Sequence, residues 1–158
     1  KSYAMTGWRI GYAGGPKEII KAMRKVQSQS TSNPSSISQA AAVEALNGTQ
    51  MFIKTRAKDF KKRRDFVVSS LNKIRGIKCL KPSGAFYVFP SCKDLLNKKT
   101  KLKKDIDFVQ NLLEKANVAV VQGSAFGLEG YFRISYATSM KNLKKAMERI
   151  KSFCESLS

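Results

Sequence analysis

The sequence has 158 residues, of which 42% are hydrophobic and 26% charged, a composition that excludes disordered and fibrous classes and suits one ordinary globular domain. Its formal net charge of +19 is typical of nucleic-acid binders, but the basic residues are widely spread and accompany no zinc-finger, RNP-like or helix-turn-helix pattern. The absence of histidine excludes Ser-His-Asp and Cys-His catalysis within this chain, so any chemistry must use lysine, arginine, hydroxyl groups or a cofactor.

The beginning of the chain predicts one strand and two helices. Residues 8–14, which read WRIGYAG, have the pattern of a short strand ending in glycines, and Pro16 suits the first turn of a helix. The polar stretch 27–36 predicts an exposed loop, and Ser36 with Gln39 has the spacing of a capping box before a second helix. One strand and two helices leave apolar faces uncovered, so we expect this part to pack against sequence that precedes it.

A long helix is predicted from about Thr49 to Ile74, and Gly76 stops it. Five apolar residues line one face of this helix: Ile53, Phe60, Val67, Leu71 and Ile74. About 25 residues at 1.5 Å each span about 37 Å, a length that suits a helix bridging two domains.

From Gly76 onward, short strands alternate with helices. The strands are predicted at Ile77–Leu80, Ala85–Phe89, Val118–Val121 and Tyr131–Tyr136. Asp105 is predicted to cap a helix whose apolar residues are Phe108, Leu112 and Leu113. Ser139 is predicted to cap a terminal helix, whose apolar face contains Leu143, Met147, Ile150, Cys154 and Leu157. Between them, residues 97–104 have the composition of a flexible surface loop. This alternation predicts a small α/β layer packed under helices.

Lys1 and Arg9 carry the chemistry of the opening stretch. A lysine amine can form an imine with a carbonyl compound, and the planar fork of an arginine suits a phosphate. A fully extended spacer would part the two residues by about 26 Å, a distance that two long side chains and one small molecule would barely span. We therefore expect a bend at Thr6–Gly7, where glycine tolerates backbone angles that other residues avoid.

The opening segment KSYAMTGWRIG resembles the pyridoxal-phosphate attachment motif of the class-I aminotransferases. Seven residues fall on motif positions: Lys1, Ala4, Met5, Gly7, Arg9, Ile10 and Gly11. Two later stretches also resemble family segments, PSGAFY at 82–87 and GSAFG with GYFRIS at 123–135. Gln122 departs from the pattern, because many relatives have proline before that glycine. The likeness covers essentially the whole chain and is strongest to the bacterial aspartate aminotransferases within the family.

The resemblance implies an α/β fold, the C-terminal part of the fold-type-I pyridoxal-phosphate-dependent transferases. Residues 1–48 would be the tail of the large cofactor domain, 49–75 a long interdomain helix, and 76–158 the small domain. The implied reaction transfers the amino group of aspartate, or a related amino acid, to 2-oxoglutarate in a homodimer. The family's pyridine-nitrogen carboxylate and main phosphate loop would precede Lys1, so we expect the isolated chain to be inactive.

The resemblance also implies roles for three residues. Lys1 would be the catalytic residue that holds the aldehyde of pyridoxal 5'-phosphate covalently and then moves a proton. Arg9 would bind the cofactor phosphate, and Arg133 would bind the α-carboxylate of the amino-acid or 2-oxo-acid substrate. No metal site is expected, because the sequence has no recognisable metal-binding motif.

Other interpretations stay open at the level of sequence. Arg133 lies in a predicted strand, where a structural ion pair is an alternative role. Five aromatic residues, Trp8, Phe86, Tyr87, Phe126 and Phe132, are expected in the core rather than against a cofactor. The runs at 61–64 and 98–104 allow a nucleic-acid-binding module, although a solvated surface is the expected role, and uncovered apolar faces allow a dimerisation module.

Compartment and membrane contact are also predicted from composition. Cys79, Cys92 and Cys154 are scattered and form no C-x-x-C pair, which favours reduced thiols in the cytoplasm. No apolar run approaches the roughly 20 residues that a spanning helix needs, so no membrane partner is expected.

Overall fold

The computed structural model describes residues 1–97 and 99–157. The helices are α1 (Lys17–Ser30), α2 (Ser36–Asn47), α3 (Met51–Leu71), α4 (Asp105–Ala116) and α5 (Met140–Glu155), and the strands are β1 (Tyr87–Val88), β2 (Val121–Gln122) and β3 (Phe132–Ser135). Two short 3-10 helices lie at Lys93–Leu95 and Gly123–Phe126. The chain divides into a first unit, Lys1–Arg56, and a second unit that begins at Ala57, within α3.

The first unit has almost no interior. Among its residues only Ser38 is buried, and α1 buries none of its side chains. Large apolar side chains of both helices are exposed: Ile19, Met23, Val26, Ile37, Val43 and Leu46. This confirms the expectation that the beginning of the chain does not form an independent core.

Three local predictions in the first unit are wrong. Residues 9–16 have no regular structure, because a strand needs a hydrogen-bonded partner and the described part of this unit provides none. Helix α1 continues to Ser30, into the stretch predicted as a loop, and the Ser30 hydroxyl donates to Val26 O at 3.1 Å. The side chain of Gln39 donates to Pro34 O at 3.0 Å instead of completing a capping box.

The second unit contains a three-stranded antiparallel sheet with the order β1-β3-β2. Its register pairs Tyr87 with Ser135 and Val121 with Arg133. The strands are shorter than predicted, and the expected strand at 77–80 is reduced to a bridge between Lys78 and Ser91. Strand β3 alternates as a half-buried strand should, since Phe132 and Ile134 are buried while Arg133 points to the other face.

Helices α3, α4 and α5 and the sheet contribute to one apolar core. Its fully or almost fully buried members include Val67, Leu71, Phe108, Leu112, Phe132, Ile134, Leu143, Met147, Ile150 and Cys154. Phe108 lies at its centre, with ring centroids 5.0 Å from Phe132 and 5.6 Å from Phe153. Burial of each such side chain contributes about 1.5–3 kcal/mol.

The helix ends differ in how well they were predicted. Ser139 caps α5 as expected, with its hydroxyl accepting the N–H of Asn142 at 3.1 Å. Helix α4 begins at Asp105, the residue predicted to cap it. The backbone N–H groups of Lys103 and Lys104 at this end of the helix donate instead to the carboxylate of Asp107. Of the three apolar residues named for this helix, Phe108 and Leu112 are buried, whereas Leu113 is 51% exposed.

The loop predicted at 97–104 is irregular where it is described, and Leu102 within it is buried. Lys98, part of one lysine run, lies outside the described residues. None of the helices in the described part of the chain is both long and apolar enough to cross a bilayer.

Candidate active site

The opening segment folds back on itself through two consecutive turns. The N–H of Ala4 donates to Lys1 O at 3.0 Å, and the N–H of Trp8 donates to Met5 O at 3.2 Å. Thr6–Gly7 occupies the centre of the second turn, which confirms the predicted bend. Ala4 has a φ of +55°, in the left-handed region that few residues other than glycine adopt readily.

The two turns bring Lys1 and Arg9 to one surface cavity. Its volume is about 420 Å³, and Lys1, Met5, Thr6, Arg9, Ile10 and Gly11 line it. Both basic residues are exposed, and within residues 1–97 and 99–157 no hydrogen bond or ion pair involves the guanidinium of Arg9. An amine, a guanidinium and the hydroxyl of Thr6 around one cavity fit a ligand that carries an aldehyde and a phosphate.

Lys1 also lines a second cavity of the first unit. This cavity has a volume of about 670 Å³, and its lining is mainly apolar, with Tyr3, Ile10, Tyr12, Val43 and Leu46 among the contributing side chains. Lys1 therefore lines both a polar and a mainly apolar cavity of the first unit.

Arg133 belongs to the second unit and lies on β3 among aromatic rings. Its guanidinium carbon is 4.4 Å from the ring centroid of Tyr87 and 4.3 Å from that of Phe126. In the described part of the chain, no carboxylate or carbonyl group accepts a hydrogen bond from it, so the structural ion pair considered from the sequence is not formed. Its five N–H donors are available to a ligand.

The aromatic residues are less buried than the sequence suggested. Of the five expected in the core, only Phe132 is fully buried, whereas Trp8 is 50% and Phe126 48% exposed. Tyr87 and Phe126 are the residues that sequence reasoning missed, because contact with a guanidinium depends on strand register. A signal was present, since both residues lie in the stretches PSGAFY and GSAFG that resemble the family.

Other reactive groups in the second unit are engaged or shielded. Burial raises the pKa of Cys79 to about 11 and that of Cys92 and Cys154 to about 12, so none is a thiolate at neutral pH. Among the described residues, no group of three or more histidine, cysteine or acidic side chains could hold a metal ion.

The basic run at 61–64 is partly used in internal contacts. Asp65 accepts hydrogen bonds from Lys61 at 2.9 Å and from Arg64 at 2.9 and 3.0 Å, and Lys81 approaches it at 3.0 Å. These cations hold the pKa of Asp65 well below its usual range. Arg63 stacks on the ring of Phe60 at 5.2 Å. Several charges of the run therefore have partners within the chain.

Comparison with known proteins gives a consistent assignment. The family model for aminotransferase class I and II matches residues 1–150. The aspartate aminotransferase of Rhizobium meliloti (strain 1021) is 61% identical over 162 residues, covering 100% of this chain and 40% of that protein. A probable aspartate/prephenate aminotransferase of Rickettsia typhi is 58% identical, covering 99% of this chain and 40% of that protein.

A solved structure agrees with these relatives. The crystal structure of the aspartate aminotransferase from Rhizobium meliloti has a TM-score of 0.94 and 61% identity, covering 100% of this chain and 40% of that one. The chain thus spans about 40% of the length of the curated relatives it matches.

These matches confirm the predicted fold class, the C-terminal part of the fold-type-I transferases, and give no support to a nucleic-acid-binding or dimerisation module. The family model matches residues 1–150, and a relative is 61% identical across the full chain. The chain therefore belongs to the aminotransferase class I and II family.

Proposed function

We propose that this chain supplies the cofactor lysine and two anion-binding arginines of a pyridoxal-phosphate-dependent aminotransferase. The whole enzyme would transfer the amino group of aspartate, or a related amino acid, to 2-oxoglutarate. The observation that carries the proposal is the shared cavity of Lys1 and Arg9, created by the two turns of the opening segment. Family membership and relatives named as aspartate and aspartate/prephenate aminotransferases support it.

Each of the three residues has a distinct task. Pyridoxal 5'-phosphate, when bound, supplies an aldehyde that takes up the amino group and a ring that withdraws electrons from Cα. The Nζ amine of Lys1 would hold that aldehyde and would accept the proton from the substrate Cα. The fork of Arg9 binds the phosphate, and Arg133 binds the substrate α-carboxylate through two parallel hydrogen bonds, which orients the Cα–H bond.

The organisation of the whole protein follows from the same proposal. Residues 1–48 belong to the large cofactor domain, 49–75 to an interdomain helix and 76–158 to the small domain of a homodimer. The cytoplasm is the proposed compartment, supported by three thiols that form no disulfide. The first unit buries only Ser38, and we therefore propose that the 158-residue chain alone has no transaminase activity and binds the cofactor weakly.

A chimera tests the function directly. This chain replaces the matched segment of the Rhizobium meliloti aspartate aminotransferase, and amino transfer from aspartate to 2-oxoglutarate is measured. Borohydride reduction followed by peptide mass spectrometry should place a pyridoxyl group on Lys1. Lys1→Ala should lower the rate at least about 100-fold, the lower range of proton-transfer catalysis, whereas Lys21→Ala, at an exposed site on α1, should not.

The result against the proposal is equally clear. A folded chimera that carries the reduced cofactor on another lysine, or that keeps its rate after Lys1→Ala, would show that Lys1 does not have this role. For the isolated chain, an absorbance band above roughly 400 nm that borohydride abolishes at Lys1, together with turnover of aspartate, would contradict the proposed inactivity.

A further inference from the structure

The guanidinium of Arg133 is held by aromatic contacts alone in the described part of the chain. Its carbon lies 4.4 Å from the Tyr87 centroid and 4.3 Å from the Phe126 centroid, and no acidic side chain pairs with it there. An aromatic ring contacts the flat face of a guanidinium, whereas the N–H donors point outward in its plane. Two rings can therefore restrain this side chain without using the donors that a carboxylate needs.

Both rings are placed by the sheet that carries Arg133. Tyr87 pairs with Ser135, two residues from Arg133 on the same face of β3, so the two side chains are diagonal neighbours. On the other side, Val121 pairs with Arg133, and the 3-10 helix that follows β2 ends at Phe126. The register of three strands thus determines the contact.

The loop that carries Phe126 has a buried anchor. Asp105 is 1% exposed, and its carboxylate accepts the N–H of Ser124 at 2.6 Å. The N–H of Gly123 donates to Tyr131 O at 2.7 Å, and a side chain at Gly123 would meet the backbone of Leu128 and Tyr131. The ring of Phe126 also packs edge-on against Phe89, with centroids 5.9 Å apart.

The segment that carries Tyr87 is anchored in a different way. The hydroxyl of the buried Tyr136 donates to Ala85 O at 3.0 Å, and the backbone N–H of Tyr136 donates to Phe86 O at 2.9 Å. Arg64 donates from Nη1 to Pro82 O at 3.0 Å. Hydrogen bonds therefore anchor the two backbone segments that carry these rings, one for Tyr87 and another for Phe126.

Neither anchor explains why an aromatic ring should occupy its position. Phe126 is 48% exposed and lies outside the apolar core, and its ring contacts the guanidinium and Phe89. We propose that Tyr87 and Phe126 are positioning residues that hold the guanidinium of Arg133 in the orientation in which it receives the substrate carboxylate. This inference rests on the proposed function, in which Arg133 binds that carboxylate.

The expected size of the effect follows from the cost of ordering a long side chain. Immobilising one rotamer-rich side chain on binding weakens affinity by about two- to tenfold, and a guanidinium that is already held avoids that loss. Removing one ring should therefore raise KM for aspartate by about two- to tenfold and change kcat less. A purely structural role would instead lower stability and leave KM unchanged.

The first experiment needs no cofactor. In the 158-residue chain labelled with 15N, the arginine Nε–H signals are recorded, and Arg133 is assigned by its loss in Arg133→Lys. Ring currents should shift the Nε–H signal of Arg133 upfield. Phe126→Leu or Tyr87→Leu should move its chemical shift toward those of the other arginine signals. Phe126→Tyr and Tyr87→Phe, which keep an aromatic ring, should retain the upfield shift of the Arg133 signal. Leu128→Ala, an exposed apolar residue of the same loop, is the control and should leave it unchanged.

The second experiment uses the chimera with the Rhizobium meliloti enzyme. Phe126→Leu and Tyr87→Leu should raise KM for aspartate without changing cofactor absorbance, and the ring-retaining variants should restore KM. An Arg133 signal insensitive to both leucine variants, or an unchanged KM in both, would overturn the proposal. If Arg133→Lys itself left KM and kcat unchanged, the proposed function of Arg133 would fail instead, so the two failures are distinguishable.

Discussion

Leu112 and Leu113 of α4 are adjacent residues of the same type, and the sequence identified both as apolar residues of this helix. In the structure Leu112 is fully buried among core side chains, whereas Leu113 is 51% exposed. Replacing each with alanine therefore compares one substitution at two depths in one helix. Local helix propensity changes equally in both variants, so the difference between them reports burial.

The magnitudes follow from these exposures. Truncation of a buried leucine loses its transfer free energy and leaves a cavity, at a total cost of about 2–5 kcal/mol. Full burial of leucine contributes about 1.5–3 kcal/mol, so the half-covered Leu113 has about 1 kcal/mol to lose. We expect Leu112→Ala to cost about 2 kcal/mol more than Leu113→Ala. For a unit of about 100 residues, this lowers Tm by roughly 8–16 °C more.

Hydrogen–deuterium exchange of peptides covering α4 and α5 is the suitable assay, because the single tryptophan, Trp8, lies in the first unit and does not report on this core. Exchange in a urea series gives the free energy of opening for each variant. Equal losses in the two variants, or a greater loss in Leu113→Ala, would refute the burial argument.

Three further predictions concern the second unit. Tyr136→Phe removes the hydroxyl that donates to Ala85 O and should cost about 1 kcal/mol of unfolding free energy in urea titration; an unchanged midpoint would contradict this. The three thiols should react slowly with iodoacetamide at pH 8 in the native chain and rapidly in denaturant, because burial both shields them and raises their pKa; equal rates would show the cysteines to be accessible. The pKa values of Asp65 and Asp107 both lie below the ordinary value of 3.8. The pKa of Asp65 is lowered by hydrogen bonds from Lys61, Lys81 and Arg64. The pKa of Asp107 is lowered because its carboxylate accepts the backbone N–H groups of Lys104 and Lys103. Their stabilising contribution is therefore complete above pH 3.8 and is lost as the pH falls through the folded-state pKa, so acid titration of Asp65→Asn should show a weaker loss of stability than the parent chain.

Short-range features could be predicted because their causes are local. Ser139 caps α5, and Thr6–Gly7 forms the bend between Lys1 and Arg9, each as the neighbouring residues indicated. Family membership was also predictable, because seven residues at fixed spacing in the opening segment carry the resemblance.

The features that sequence reasoning missed depend on partners distant in the chain. Strand lengths were overestimated because a strand extends only as far as its neighbours offer hydrogen bonds. The carboxylate of Asp105 accepts the N–H of Ser124, 19 positions away, as well as that of Ile106 in its own helix, and no local pattern indicates the distant contact.

The sequence by itself determined approximately where the helices begin and to which family the chain belongs, because these depend on residue type and spacing. Only the tertiary structure decided that Leu112 is buried while Leu113 is exposed and that Arg133 meets Tyr87 and Phe126 rather than a carboxylate. The physical reason is that burial and side-chain contact depend on strand register and helix packing, which bring together residues far apart in the chain.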